Sequence, residues 1–286
     1  MSLKLERAAI EGVVRMALAE DAPWGDVTSQ TLIPAEARVS AELVAREEGV
    51  LSGQDVFAAA MTLTDARIDV EFVMQDRERF AAGDVLARVS GPARGVLQAE
   101  RVGLNFVQRM CGIATLTAKF VAEIAGTKAR IVDTRKTTPG LRVLERYAVR
   151  CGGGSNHRFS LSDAVMAKDN HLAILTAGGE RDLTQALREA RKTLPHTMHV
   201  EVEVDRLDQI EAVLAAGVDT IMLDNFSLVD LRTGVKQVAG RALIEASGGV
   251  RLETVRAIAE TGVDVISVGA LTHGVRSLDL GLDFKN

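Results

Sequence analysis

The chain has 286 residues, 47% hydrophobic and 26% charged, with a formal net charge of −5 and a mean hydropathy of +0.11. That is a globular composition, long enough for one large or two modest domains, and a pI near 5.7 with 3% aromatic residues argues against nucleic-acid binding, which needs a basic surface. No stretch approaches the roughly 20 apolar residues of a membrane span, the charged start MSLKLERAAIEG lacks the apolar run of a signal peptide, and two cysteines, Cys111 and Cys151, without a CxxC form neither a disulfide framework nor a metal knuckle, so a cytoplasmic home is expected.

In chain order, residues 5–19 place Leu5, Ala9, Val13, Met16 and Ala17 on one helical face. EDAPWGDVTS (20–29) reads as a loop broken by Pro23 and Gly25, with the lone Trp24 as a packing residue. VSAELVAR and IDVEFVM read as strands, with GVLSGQ as a turn between them, and GDVLARVSGP (83–92) as a further strand. Sustained periodicity over 98–124 predicts a long helix, so the first part is α+β.

From residue 130 the texture becomes short apolar runs alternating with helices. The runs are RIVD (130–133), DAVMAK (163–168), HVEVEV (199–204), DTIMLD (219–224), ALIEAS (242–247) and DVISVG (264–269). Several are apolar without alternation, as parallel strands buried on both faces must be. LAAGVDTIMLDN and AETGVDVISVGA form a weak repeat, with Gly217 and Gly262 at helix C-caps. Polar or glycine residues follow nearly every run. A βα barrel gathers its active site on that rim, whereas a doubly wound sheet uses one switch point; with no GxGxxG, the barrel is preferred.

The rim has a cationic part and an acidic part. From 133 to 168 the cations are Arg135, Lys136, Arg142, Arg146, Arg150, Arg158 and Lys168, with His157 besides, against Asp133, Glu145 and Asp163. Guanidinium forks suit carboxylates and phosphates. Glu203 and Asp224 supply carboxylates for Mg²⁺ or sugar hydroxyls, while Glu201 is set aside because it alternates with Glu203. Ser247, Gly248 and Gly249, and Val268, Gly269 and Ala270, offer backbone N–H groups to a phosphate. The bland readings are a solvated Arg135–Lys136 loop, a Lys168–Asp169 surface pair, a structural His157, a flexible Gly152–Gly154 turn, a Glu203 paired with a core arginine and an inert Cys151.

DTRKTTPGLR, AVRCGGGSNHR, DAVMAKDNH, VEVEVD, IMLDN, EASGGV and ISVGALTH occur in the order found in the quinolinate phosphoribosyltransferase family, which this sequence resembles over nearly its whole length. The resemblance implies an α/β fold: an N-terminal α+β sandwich-like domain (1–112), then an open α/β barrel of parallel strands (113–272) of the type II phosphoribosyltransferase kind, and a tail (273–286) returning to the first domain. It implies decarboxylating transfer from phosphoribosyl pyrophosphate to quinolinate, with Mg²⁺, in a homodimer or hexamer with shared sites. Carried over by motif, Thr134, Arg135, Lys136, His157, Arg158 and Lys168 would hold the quinolinate carboxylates and neighbouring phosphate, and Arg101 would reach in from the partner subunit. Glu203 and Asp224 would contact ribose and Mg²⁺–pyrophosphate, directly or through water, and together with Lys136 would form the catalytic set. Ser247–Gly249 and Val268–Ala270 would cradle the 5′-phosphate.

Ala22-Pro23-Trp24 departs from the Gly-rich spacing usual before GD in that family. Two rivals follow. One is the related molybdenum-transport-associated group, which tends to lose the NHR…KDNH pattern intact here. The other is a Schiff-base barrel enzyme using Lys136 or Lys168.

Overall fold

The computed structural model describes residues 4–176 and 182–285. Residues 1–3 of the expected first domain and Asn286 of the expected tail lie outside the described residues. In chain order the elements are α1 (Arg7–Asp21), α2 (Val27–Leu32), β1 (Arg38–Ala45), β2 (Gly49–Val50), α3 (Gln54–Thr64), β3 (Asp69–Phe72), β4 (Arg79–Phe80), β5 (Val85–Pro92) and α4 (Ala93–Glu123). Then come β6 (Arg130–Val132), α5 (Arg142–Cys151), β7 (Val165–Ala167), α6 (Asp169–Leu175), α7 (Leu183–Lys192), β8 (Val200–Val204), α8 (Ile210–Ala215), β9 (Thr220–Asp224) and α9 (Leu228–Val238). The last are β10 (Leu243–Ser247), α10 (Leu252–Ala259), β11 (Val265–Ser267), α11 (Ala270–His273) and β12 (Leu280–Lys285). They form two compact units, one within Met1–Ala118, Thr137–Gly153 and Leu271–Asn286, the other within Lys119–Lys136 and Gly154–Ala270.

The first unit is an antiparallel sheet in the order β12-β1-β5-β3. Strand β12 pairs with β1 from Ser40↔Lys285 to Ala45↔Leu280, so the end of the chain supplies an edge strand to the first unit's sheet. Ala41, Leu43 and Ala45, alternating along β1, turn into a core with Leu51, Phe57, Met61, Leu86, Val96 and Val107. GVLSGQ is not a free turn: it holds β2, and Leu51 is buried in that core. Helix α3, which the sequence reading passed over, starts at Gly53, a residue with no side chain to cap it. Its cap comes from Asp76, whose carboxylate accepts from Gly53 N and Gln54 N at 3.2 Å each and from the Tyr147 hydroxyl at 2.8 Å. Burial pushes the Asp76 carboxyl up, which those hydrogen bonds oppose.

Three further expectations change here. The buried residues of α1 are Ile10 and Val14, while Met16 is 62% exposed, so the buried face is rotated by one residue from the predicted stripe. Residues 27–29 of the expected loop open the helix α2, because the Asp26 carboxylate accepts from Ser29 N and caps it. Trp24 is 90% exposed and packs no core in the single chain. Cys111 and Cys151 are buried free thiols; burial raises both, Cys151 to about 11, which fits inert residues.

Gly152 closes α5 against α4. A Cβ there would lie 2.3 Å from Ala114 O and 2.6 Å from Thr117 Cβ, so the residue is a packing requirement rather than a loose turn. Gly152→Ala should therefore destabilise the protein by about 2–3 kcal/mol, an overpacking cost without compensation. Urea unfolding monitored by far-UV circular dichroism checks this.

The second unit is a parallel sheet ordered β6-β11-β10-β9-β8-β7, whose six strands are the six apolar runs. Its edge strands β6 and β7 are not paired with each other in this order, which makes it an open α/β barrel. Val200, Val202 and Val204, with Ile221 and Leu223, are buried as strands between helices require. Gly217 and Gly262 have φ of +78° and +94°, the left-handed geometry expected at both helix ends.

Candidate functional site

Parallel strands end together, so the residues following them share one rim. Thr134, Arg135 and Lys136 follow β6, Lys168 follows β7, Glu203 lies within β8, and Asp224 and Ser247 close β9 and β10. Gly248 and Gly249 continue from Ser247, Val268 and Gly269 follow β11, and Ala270 opens α11. Arg101 lies on an exposed position of α4 in the other unit.

Register partners in a parallel ladder project to the same face. Glu201 pairs with Thr220, Glu203 with Met222 and Ser247 with Asp224, while both Glu245 and Glu203 neighbour Met222. Glu201, Glu203, Asp224, Glu245 and Ser247 thus share one face. Setting Glu201 aside was wrong: residues two apart on a strand point the same way. Glu245, a charge inside an otherwise apolar run, carried the same signal and was missed.

The loop after Gly154 is stitched to β6. The buried Asp133 carboxylate accepts from Asn156 Nδ2 at 2.6 Å and from His157 N at 2.7 Å. His157 faces inward: Nε2 lies 3.2 Å from Glu201 Oε2 and 3.3 Å from Glu245 Oε2, and 13% of its side chain is exposed. Burial opposes its charge, but the hydrogen bonds the ring donates to both carboxylates prevail and lift its pKa from 6.5 to about 10. Arg158 N–H also points at Nδ1, 2.7 Å away, and charging the ring costs that single neutral contact. His157, Glu201 and Glu245 bring ligand atoms of the right types within 4.8 Å for a metal, but the Nε2 proton is committed to the carboxylates, so the group reads as a hydrogen-bonded triad.

A stability prediction follows. The folded protein holds the His157 proton more tightly than the unfolded chain does. The resulting stabilisation is complete below about pH 6.5 and is lost as pH rises through about 10. The urea midpoint should fall across that window, and His157→Gln should flatten the fall; equal slopes would remove His157 as its source.

Arg158 Nη1 donates to Ala164 O at 3.0 Å, and the loop between them is clasped by Asp163, which accepts from Phe159 N at 2.6 Å and Ser160 N at 2.7 Å. Burial first, then the positive charge of Arg135, lowers the Arg158 pKa. Arg135 Nε is buried without a hydrogen-bond partner. Two neighbouring guanidinium groups, one with an orphaned buried donor, offer the kind of hydrogen-bond donors that an anion takes.

Lys168 pairs with Glu203, not with Asp169 as the bland reading supposed, and among the described residues no core arginine takes Glu203. Asp224 Oδ2 accepts from Asn225 Nδ2 at 2.6 Å. Two carboxylates on one face give the oxygen donors a hard cation such as Mg²⁺ takes, so the donor set fits that ion. Gly248 has φ +94°, and a Cβ there would lie 2.2 Å from Asn225 Oδ1, so only glycine lets the β10 turn approach Asn225. Val268 offers no free N–H: the ladder runs one residue past β11, and Val268 N donates to Val132 O at 3.0 Å.

Residues 26–111 match the quinolinate phosphoribosyl transferase N-terminal domain, and residues 113–283 match its C-terminal domain. The chain belongs to the quinolinate phosphoribosyl transferase family. It is 45% identical over 284 residues to the nicotinate-nucleotide pyrophosphorylase [carboxylating] of Mycobacterium leprae (strain TN), covering 96% of this chain and 97% of that protein. It is 42% identical to the probable enzyme of the same name from Bacillus subtilis (strain 168), over 92% and 89% of the two chains. The crystal structure of NadC from Streptococcus pyogenes superposes with a TM-score of 0.93 at 39% identity, covering 100% of both chains. The nicotinate-nucleotide pyrophosphorylase from Francisella tularensis gives 0.91 at 39% identity over 99% and 98%. The open parallel barrel and the antiparallel N-terminal sheet are thus the architecture of this transferase family.

Proposed function

We propose that the chain transfers the phosphoribosyl group of phosphoribosyl pyrophosphate to quinolinate with decarboxylation, releasing nicotinate mononucleotide, pyrophosphate and CO₂ in de novo NAD synthesis. Family membership supports the reaction. The observation that carries the substrate is the Arg135–Arg158 pair with its orphaned Nε, a charge arrangement relieved by a dianion. Arg135, Arg158 and Lys168 bind the two carboxylates, with Thr134 and Lys136 beside the phosphates. His157 acts from behind, through the loop. Gly248, Gly249, Gly269 and Ala270 lie against the 5′-phosphate, next to Ser247.

The C1–O bond breaks with its electron pair going to pyrophosphate, and the Lys136 cation stabilises that charge. Positive charge builds on the ribose, where the Glu203 and Asp224 carboxylates oppose it. The pyridine nitrogen then bonds to C1. The resulting pyridinium accepts the electron pair left when the adjacent carboxylate departs as CO₂, and solvent protonates the ring carbon. Glu203 and Asp224 would hold Mg²⁺, directly or by way of water and substrate, and the ion would supply charge neutralisation for the leaving pyrophosphate. No covalent enzyme intermediate is needed, so positioning does most of the catalysis.

The reading includes a cytoplasmic homodimer in which Arg101 completes the partner's site. Met16, Trp24, Val27 and Leu32, 62–90% exposed in the single chain, support a covered surface. Among the described residues no helix is long and apolar enough to cross a membrane. The test is product formation from quinolinate, phosphoribosyl pyrophosphate and Mg²⁺, with nicotinate in parallel. Nicotinate mononucleotide and CO₂ from quinolinate alone support the reading; no turnover with either substrate by folded protein overturns it.

A further inference from the structure

We propose that Glu201 and Glu245 are positioning residues for quinolinate, holding the His157 ring from inside the barrel and through it the backbone of Arg158. The proposal rests on quinolinate being the substrate.

The sheet sets up the arrangement. β9 separates β8 from β10, and the register places Glu201 beside Thr220 and Glu245 beside Met222 on a single face. The two carboxylates therefore flank β9 and converge on His157 Nε2. They are 4% and 3% exposed. Two like charges this deep are costly unless compensated. In each, Oε1 has no hydrogen-bond partner and Oε2 is given to the imidazole. The ring is thus the group to which both carboxylates are committed.

The other side of His157 carries the consequence. Its main-chain N–H is bound to Asp133, its ring to Glu201 and Glu245, and Arg158 is the next residue in the chain. The backbone at 157–158 is held through both the main chain and the ring, and the Arg158 guanidinium leaves from that fixed point. Removing either inner charge loosens the ring, then the loop, and so misplaces the fork that meets the substrate. A shift of this kind weakens the ligand that Arg158 holds and leaves the phosphate side of the site alone.

The test compares Glu201→Gln and Glu245→Gln, which keep side-chain size, with wild type in the full chain, varying both substrates. The KM for quinolinate should rise about tenfold, with kcat and the KM for phosphoribosyl pyrophosphate moving less than about threefold. The double variant His157→Gln/Glu245→Gln should be no worse than either single one, because all act through one ring. Parallel changes in both KM values, or an unchanged quinolinate KM, would overturn the proposal. Failure of the functional reading is separable: wild type would then give no product. In that case, as when a variant does not fold, nitrogen-15 histidine NMR of the wild type still reads the ring. An Nε2 proton protected from exchange supports the brace, and a freely exchanging one overturns it.

Discussion

Arg158→Ala lowers kcat/KM for quinolinate by about 10²- to 10³-fold, the cost of deleting one partner of a desolvated, charge-assisted contact. Arg158 is half-buried and tied to Ala164 O, and burial first, then the neighbouring Arg135, depresses its pKa. A cation held against a like charge has interaction energy in reserve for an arriving dianion. The loss should fall on quinolinate more than on phosphoribosyl pyrophosphate. Arg158→Lys should recover little of it, because an ammonium cannot reproduce the guanidinium fork. Steady-state kinetics with each substrate varied in turn measures this, and a near-normal kcat/KM would remove Arg158 from the site.

Mixing Arg101→Ala with Lys136→Ala subunits should restore activity that neither variant has alone. Arg101 is exposed on α4, and Lys136 follows β6 in the other unit. If a site draws Arg101 from one subunit and Lys136 from its partner, a mixed dimer carries one doubly defective site and one intact site. Statistical exchange then returns about a quarter of the wild-type activity. No recovery, despite subunit exchange shown by mass spectrometry, would count against the shared site.

The barrel strands could be read directly because parallel strands buried on both faces leave short, dense apolar runs, and their rim residues follow at once in sequence. The candidate residues Arg135, Lys168, Glu203 and Asp224 could be placed on that rim for the same reason. Helix α3 could not, since its cap is Asp76, twenty-odd residues away in the chain and invisible to local capping patterns. The face of α1 was misjudged because Val13 and Val14 look alike in sequence, while packing buried the second.

The amino-acid sequence determined by itself the six barrel strands and the long helix before them, the surplus of cations between 133 and 168, and membership in the family, since these depend on local periodicity and on long continuous motifs. Tertiary structure alone decided how the charges pair: Lys168 with Glu203, His157 with Glu201 and Glu245, and Asp133 with the loop at 156–157. Side-chain polarity announces that a buried charge needs a partner, but the partner is chosen by which strands lie together and in what register, and that depends on contacts distant in the chain.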